Sequence, residues 1–123
     1  MSHEWSELPP APILTEKHYD DPSIFTPENL LREARRQKGV PEQPVPEICV
    51  LDPDGDLVDY LLATAQAKRH PTWACYHTTL LTWEQDGVSY GIIGRVVGAS
   101  FAVLVAEELF VCGCQLLISI TSA

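Results

Sequence analysis

Three carboxylates and a glycine within five residues, Asp52-Pro53-Asp54-Gly55-Asp56, follow directly on the apolar run Ile48-Cys49-Val50-Leu51. A second segment, Arg95-Val96-Val97-Gly98-Ala99-Ser100, pairs a cation with a glycine that lets backbone approach a ligand, just before a helical pattern whose first N–H groups favour an anion. A third, Thr121-Ser122-Ala123, is small and hydroxylated at the end of the last apolar run. All three fall where α/β proteins gather their ligands, at the carboxyl ends of strands. Each also has an ordinary structural reading: a polar turn, a helix cap with close strand–helix packing, and a frayed terminus.

The elements that must position these segments alternate between two periods. Ile48 to Leu51 is too short for a helix and reads as a buried strand entering the acidic turn. Leu57, Leu61, Leu62 and Ala65 recur at helical spacing, which predicts a helix from Leu57 to Ala67 with Asp56 placed to cap it. Trp73 to Trp83 alternates and is rich in aromatic and β-branched residues, and Asp86-Gly87 turns the chain into Val88 to Val97. That pattern predicts a hairpin. Gly98-Ala99-Ser100 then introduces a helix over Phe101 to Val111, Gly113 closes it, and Leu116 to Thr121 reads as a last buried strand. The fold class expected is α/β.

Residues 1–45 have a different character, because eight of the ten prolines fall in the first 46 positions. They read as an arm with one short helix begun by Thr26-Pro27-Glu28-Asn29, with Phe25 packed on Leu30 as a staple, and ended by Gly39. Leu30, Leu31 and Ala34 make its apolar stripe, and Arg32, Arg35 and Arg36 its wet face. The arm is expected to pack on its own domain or on a neighbouring subunit. Residues 46–123 read as the opening part of an α/β domain that is expected to stop short. A buried final strand needs pairing and helical cover on both faces, and 78 residues bury only about 60% of their unfolded surface.

The formal charge of −9 is unevenly spread, since positions 46–123 hold only three cations, Lys68, Arg69 and Arg95. A nucleic-acid-binding face is excluded on that ground. Glu107 and Glu108 near the middle of the apolar stretch Phe101 to Ile120 argue for core over membrane. Cys49, Cys75, Cys112 and Cys114 sit in or beside apolar runs and not at framework spacings, which points to a reducing cytoplasm. Asp52, Asp54 and Asp56 begin like a calcium loop, but Leu57 and Ala63 occupy its glycine and glutamate positions. Cys112-Gly113-Cys114 is one pair without a second. No metal and no organic cofactor is expected.

Taken in order, Ile48 to Asp56, Cys75-Tyr76-His77-Thr78 through Gly94, Gly98 to Val103 leading into Glu107-Glu108-Leu109, and Leu117 to Ala123 resemble the N-terminal half of the nucleoside phosphorylase superfamily, the purine and uridine phosphorylase type. The resemblance implies a three-layer α/β/α sandwich, a homo-oligomer (dimer or hexamer), and cleavage of the N-glycosidic bond of a nucleoside with inorganic phosphate as co-substrate. It implies a phosphate loop at Gly55 and Asp56, with Arg95 and Gly98 beside it. Ser122 would touch phosphate or ribose, and His77 would supply a cation across a subunit interface; by itself His77 reads as a hydrogen-bonded strand residue. The family's base-binding and leaving-group residues come from the half not present, so the catalytic residues stay unassigned and the chain alone is expected to be inactive.

Two departures from the family pattern bear on mechanism. Asp59 and Ser119 stand where the resemblance leads one to expect arginines. Charged hydrogen bonds are worth about 1.5–3 kcal/mol each, so phosphate is expected to bind weakly, with Arg95 the local compensation. A hydrolytic nucleosidase of the same superfamily therefore stays open. So does a haloacid-dehalogenase-type phosphatase, whose first motif Asp52-Pro53-Asp54-Gly55-Asp56-Leu57 also resembles, with Asp52 as nucleophile. A non-catalytic oligomerising module, pairing an open sheet edge with another chain, is the third alternative.

Overall fold

The computed structural model describes residues 26–121. Phe25, Ser122 and Ala123 lie outside them, and with these the expected staple and the serine of the third segment. Helix α1, Pro27–Lys38, begins as the sequence dictates: the Asn29 N–H donates to Thr26 Oγ1 at 3.2 Å, proline occupies the first turn, and left-handed Gly39 ends it. Its buried residues are Leu31 and Ala34.

Five strands follow: β1 Ile48–Asp52, β2 Lys68–Arg69, β3 Leu80–Gln85, β4 Val88–Gly94 and β5 Leu116–Ser119. They form one sheet in the order β2-β3-β4-β1-β5. β1 lies between β4 and β5, parallel to both, while β3 and β2 extend the sheet antiparallel beyond β4. Parallel strands need crossovers, and these are helix α2, Asp56–Ala63, between β1 and β2, and helix α3, Ala99–Val111, between β4 and β5.

Strand periodicity divides the core between the two faces of the sheet. Val50, Leu81 and Ile92 pack with Val58 and Leu61 of α2. Their neighbours Leu51, Leu80 and Ile93 pack on the other face with Val105 and Leu109 of α3 and Leu31 of α1. The architecture is an α/β/α sandwich with α2 on one side and α1 and α3 on the other. The stretch from Phe101 to Ile120 splits into a helix and a strand, and no helix of the described residues is long and apolar enough to cross a membrane.

Several boundaries differ from expectation. Helix α2 stops at Ala63, four residues early, because Ala65 is left-handed and the Ala65 and Gln66 N–H groups close on the Leu62 and Leu61 carbonyls at 3.1 and 3.0 Å. That double closure terminates a helix, and alanine fills a place usually taken by glycine. Asp56 is the first helical residue and does not cap; the N-cap is Gly55, which has no side chain to offer. The hairpin turn at Asp86-Gly87 has both residues at positive φ, 53° and 78°, as a type I′ turn requires. Its first strand begins only at Leu80. Trp73, Ala74 and Cys75 are buried in an irregular segment between two turns, where Trp73 Nε1 donates to Thr78 Oγ1 at 2.8 Å and Thr78 Oγ1 donates to the Cys75 carbonyl at 2.9 Å. Their alternation reflects core packing and not a sheet ladder. β2 carries no apolar pattern that would have marked it.

Glu108 of α3 is only 3% exposed, and its Oε2 has no hydrogen-bond partner among the described residues. Burial pushes its carboxyl above the ordinary range; a Cys75 hydrogen bond pulls the other way, and Glu107 adds repulsion. Below about pH 4 neither the folded nor the unfolded chain is charged here. As pH rises through the raised value, only the folded chain must keep a charge out of water, and stability is lost. Glu108→Gln is therefore expected to raise Tm at neutral pH, with the gain vanishing toward pH 4. Thermal unfolding of both chains at the two pH values checks this, and a gain independent of pH would refute it.

Candidate functional site

The chain leaves β1 for α2 on one face of the sheet and leaves β4 for α3 on the other. Between the carboxyl ends of two such strands an α/β sheet opens a crevice, because neither connection covers it. Here the strand ends are adjacent, with Asp52 paired to Gly94 in register.

Asp52 organises this crevice although it does not face the solvent. It is 3% exposed, and its Oδ2 accepts the N–H of Val58 at 3.0 Å, satisfying one of the free donors of the first turn of α2. Its carbonyl accepts two further N–H groups, from Gly55 at 3.0 Å and from Arg95 at 2.9 Å. One residue thus ties the acidic loop, the start of α2 and the segment after β4 together. The signal in sequence was its place as the first carboxylate after an apolar strand.

Gly55 is left-handed at φ 82°, and a Cβ there would lie 2.8 Å from Arg95 Cζ. The missing side chain is what lets the guanidinium lie across the loop. Arg95 itself has φ 60°, a conformation sparsely populated for a residue with a side chain. Its Nη2 donates to both carboxylate oxygens of Asp59 at 2.8 Å. Asp59, one turn into α2, holds the Arg95 pKa above its ordinary value, with Asp52 and Asp56 adding to the effect. Both partners of the pair are more than half exposed, so solvent screens it.

A cavity of about 330 Å³ opens beside the pair, lined by Val58, Leu62, His77, Thr78, Gly94 and Arg95 among others. That is the lower end of the range for small-molecule sites. His77 is exposed and left-handed at φ 62°, in the turn before β3, not on a strand. A larger cavity of about 640 Å³, lined by Pro46, Glu47, Val88 and Gln115, lies at the amino ends of β1, β4 and β5. Among the described residues its lining has a single carboxylate and no cation, so size alone does not make it the site.

Of the residues singled out from sequence, Gly55, Asp56 and Arg95 are brought together, and His77 joins Arg95 across the cavity. Gly98 caps α3 with φ 96° and does not line this cavity. The sequence reading missed that Asp59 would engage Arg95, and that Thr78 and Thr79 would line the wall. The buried, hydrogen-bonded carboxylate of Asp52 also counts against the phosphatase reading, because a nucleophile must be reachable by its substrate.

The strands and helices match a phosphorylase-like α/β fold. A solved structure similar to this chain is the crystal structure of uridine phosphorylase from Vibrio fischeri ES114, at 21% identity and a TM-score of 0.50, covering 66% of this chain and 33% of that one. The likeness is one of fold, and the chain spans about a third of the length of that enzyme. No protein-family model matches the chain, and no curated protein matches it.

Proposed function

We propose that this chain forms the N-terminal part of an enzyme that cleaves the N-glycosidic bond of a purine or pyrimidine nucleoside by phosphorolysis, in nucleoside salvage. The observation that carries the reading is the meeting of left-handed Gly55 with Arg95 at the adjacent carboxyl ends of β1 and β4, where the two crossovers part. In this reading Gly55, Asp56 and Arg95 hold inorganic phosphate, which is the co-substrate, and no organic cofactor takes part. Gly98 approaches from the start of α3, Ser122 contributes a hydroxyl, and His77 lies at the rim of the nucleoside cavity. The enzyme would be a cytoplasmic homo-oligomer; the four free thiols agree with a reducing compartment. The exposed apolar residues Leu116 and Ile118 of β5 offer an edge for further strands or subunits.

The Arg95–Asp59 pair favours a second reading within the same fold. A guanidinium already engaged by a carboxylate offers an incoming phosphate less, and water as nucleophile needs no anion cradle. The two readings separate by product. The full natural polypeptide containing this chain is expected to release base and pentose 1-phosphate from uridine or inosine only when phosphate is supplied. Release of base and free pentose without phosphate would establish the hydrolytic form, and failure to cleave any nucleoside would overturn both. In calorimetric titration, Asp59→Asn is expected to tighten phosphate binding roughly two- to fivefold, the scale of an exposed pair. Unchanged affinity would mean that Asp59 does not compete with the anion.

A further inference from the structure

β5 closes one side of the sheet, and among the described residues β1 is its one strand neighbour. The N–H groups of Leu116 and Ile120 donate to the Glu47 and Leu51 carbonyls on that neighbour's side, at 3.0 and 2.9 Å. Hydrogen-bonding direction alternates along a strand, so the N–H and C=O groups of Leu117 and Ser119 point the other way, to the open side.

The side chains divide in the same alternation. Ile118 is in register with Val50, which packs beneath α2, so Leu116, Ile118 and Ile120 stand on the α2 face of the sheet. The cluster under α2 takes Val50, Leu81 and Ile92 and holds no residue of β5. The three apolar side chains are therefore left in a row, each 42–52% exposed. Open strands are normally guarded by lysine, proline or an inward charge. From Leu109 to Ala123 the sequence has neither a charged residue nor a proline. Although the chain carries a formal charge of −9, a second copy brings no charge to this strand.

We propose that β5 is the seam of a homodimer, in which two copies of the strand pair antiparallel across a twofold axis at Ile118 and join two five-stranded sheets into one. The register follows from the open groups and the apolar row together. Pairing about Leu117 or Ser119 also matches backbone donors to acceptors, but it leaves one of the three apolar residues without an apolar counterpart. Pairing about Ile118 sets Leu117 to exchange hydrogen bonds with Ser119 of the partner subunit. It also places Leu116 against the partner's Ile120 and Ile118 against the partner's Ile118, closely spaced cross-strand pairs on one face. One short strand per copy buries less than the roughly 800 Å² a side of a standard interface, so the dimer is reversible. The inference rests on the sheet, and loss of the nucleoside reading leaves it standing.

Sedimentation velocity of the 123-residue chain is expected to pass from one copy to two as concentration rises, with a midpoint on the order of tens of micromolar. Ile118→Lys sets like charges opposite each other and should weaken association roughly tenfold or more. Val88→Lys, at a residue 41% exposed but two strands away, should leave the midpoint unchanged. Under mild oxidation Ile118→Cys should link two copies through a disulfide above the background of the unaltered chain. Leu116→Cys should do so only when mixed with Ile120→Cys. The proposal is overturned by a single-copy mass at every concentration, by a midpoint that Ile118→Lys does not move or Val88→Lys moves as much, or by Leu116→Cys linking alone as readily as Ile118→Cys. Should Ile118→Lys not fold by circular dichroism, the cysteine variants decide.

Discussion

Asp52→Ala is expected to destabilise the chain by about 1–3 kcal/mol, the cost of leaving a buried donor without a partner. The donor is the Val58 N–H, which at 3.0 Å meets Asp52 Oδ2 and no cap residue, because Gly55 at the N-cap has no side chain. Asp52→Asn retains a side-chain oxygen in the same place and should recover most of the loss. Urea unfolding of the two variants measures the difference. Equal losses in both would mean that the negative charge matters and the acceptor does not. No loss in Asp52→Ala would show that α2 starts without this bond. The consequence reaches the candidate site, since the same residue receives the Gly55 and Arg95 N–H groups on its carbonyl. A loosened α2 would carry Asp59 away from Arg95.

The larger effect is expected at Leu109, which has no exposed surface and packs with Cys49, Ile93 and Leu31 where α3 covers the sheet. Leu109→Ala should cost about 2–5 kcal/mol, lost transfer energy plus the cavity left behind. Domains have only about 5–15 kcal/mol in total, so this single change brings the chain near its limit. Phe110→Ala, one position along the same helix but 49% exposed, should change stability by less than about 0.5 kcal/mol. The test is the shift of the urea midpoint at constant slope. Comparable losses at both positions would mean that α3 is oriented differently on the sheet.

Elements governed by local chemistry were legible from the residues. Thr26 with Pro27 starts α1, Asp86-Gly87 makes the hairpin turn, and Gly113 closes α3, because caps and left-handed turns depend on residues within one turn of each other. The apolar run at Ile48 identified β1 as an interior strand, since a strand buried on both faces needs no alternation. Where local pattern and long-range packing disagreed, packing prevailed. Trp73 to Thr79 carries the aromatic residues of a strand, yet Trp73 and Cys75 serve the core on the α3 side from an irregular segment. β2, two residues long, exists only because β3 offers its edge to Lys68 and Arg69.

The candidate site divides in the same way. Residue types and order placed the segments holding Gly55, Asp56 and Arg95 at the carboxyl ends of strands, and the resemblance to the phosphorylase family grouped them as one site. The sequence also identified Asp59 as an acidic residue in an unexpected place. Only the tertiary structure decided what Asp59 does. Its meeting with Arg95, 36 positions away, depends on the pitch of α2, on the register of Asp52 with Gly94, and on the absence of a side chain at Gly55. The orphan oxygen of Glu108 likewise follows from how α1 and the Cys75–His77 turn close over α3. Distances between side chains on separate elements are set by packing, and packing is a property of the assembled core that no single stretch of residues encodes.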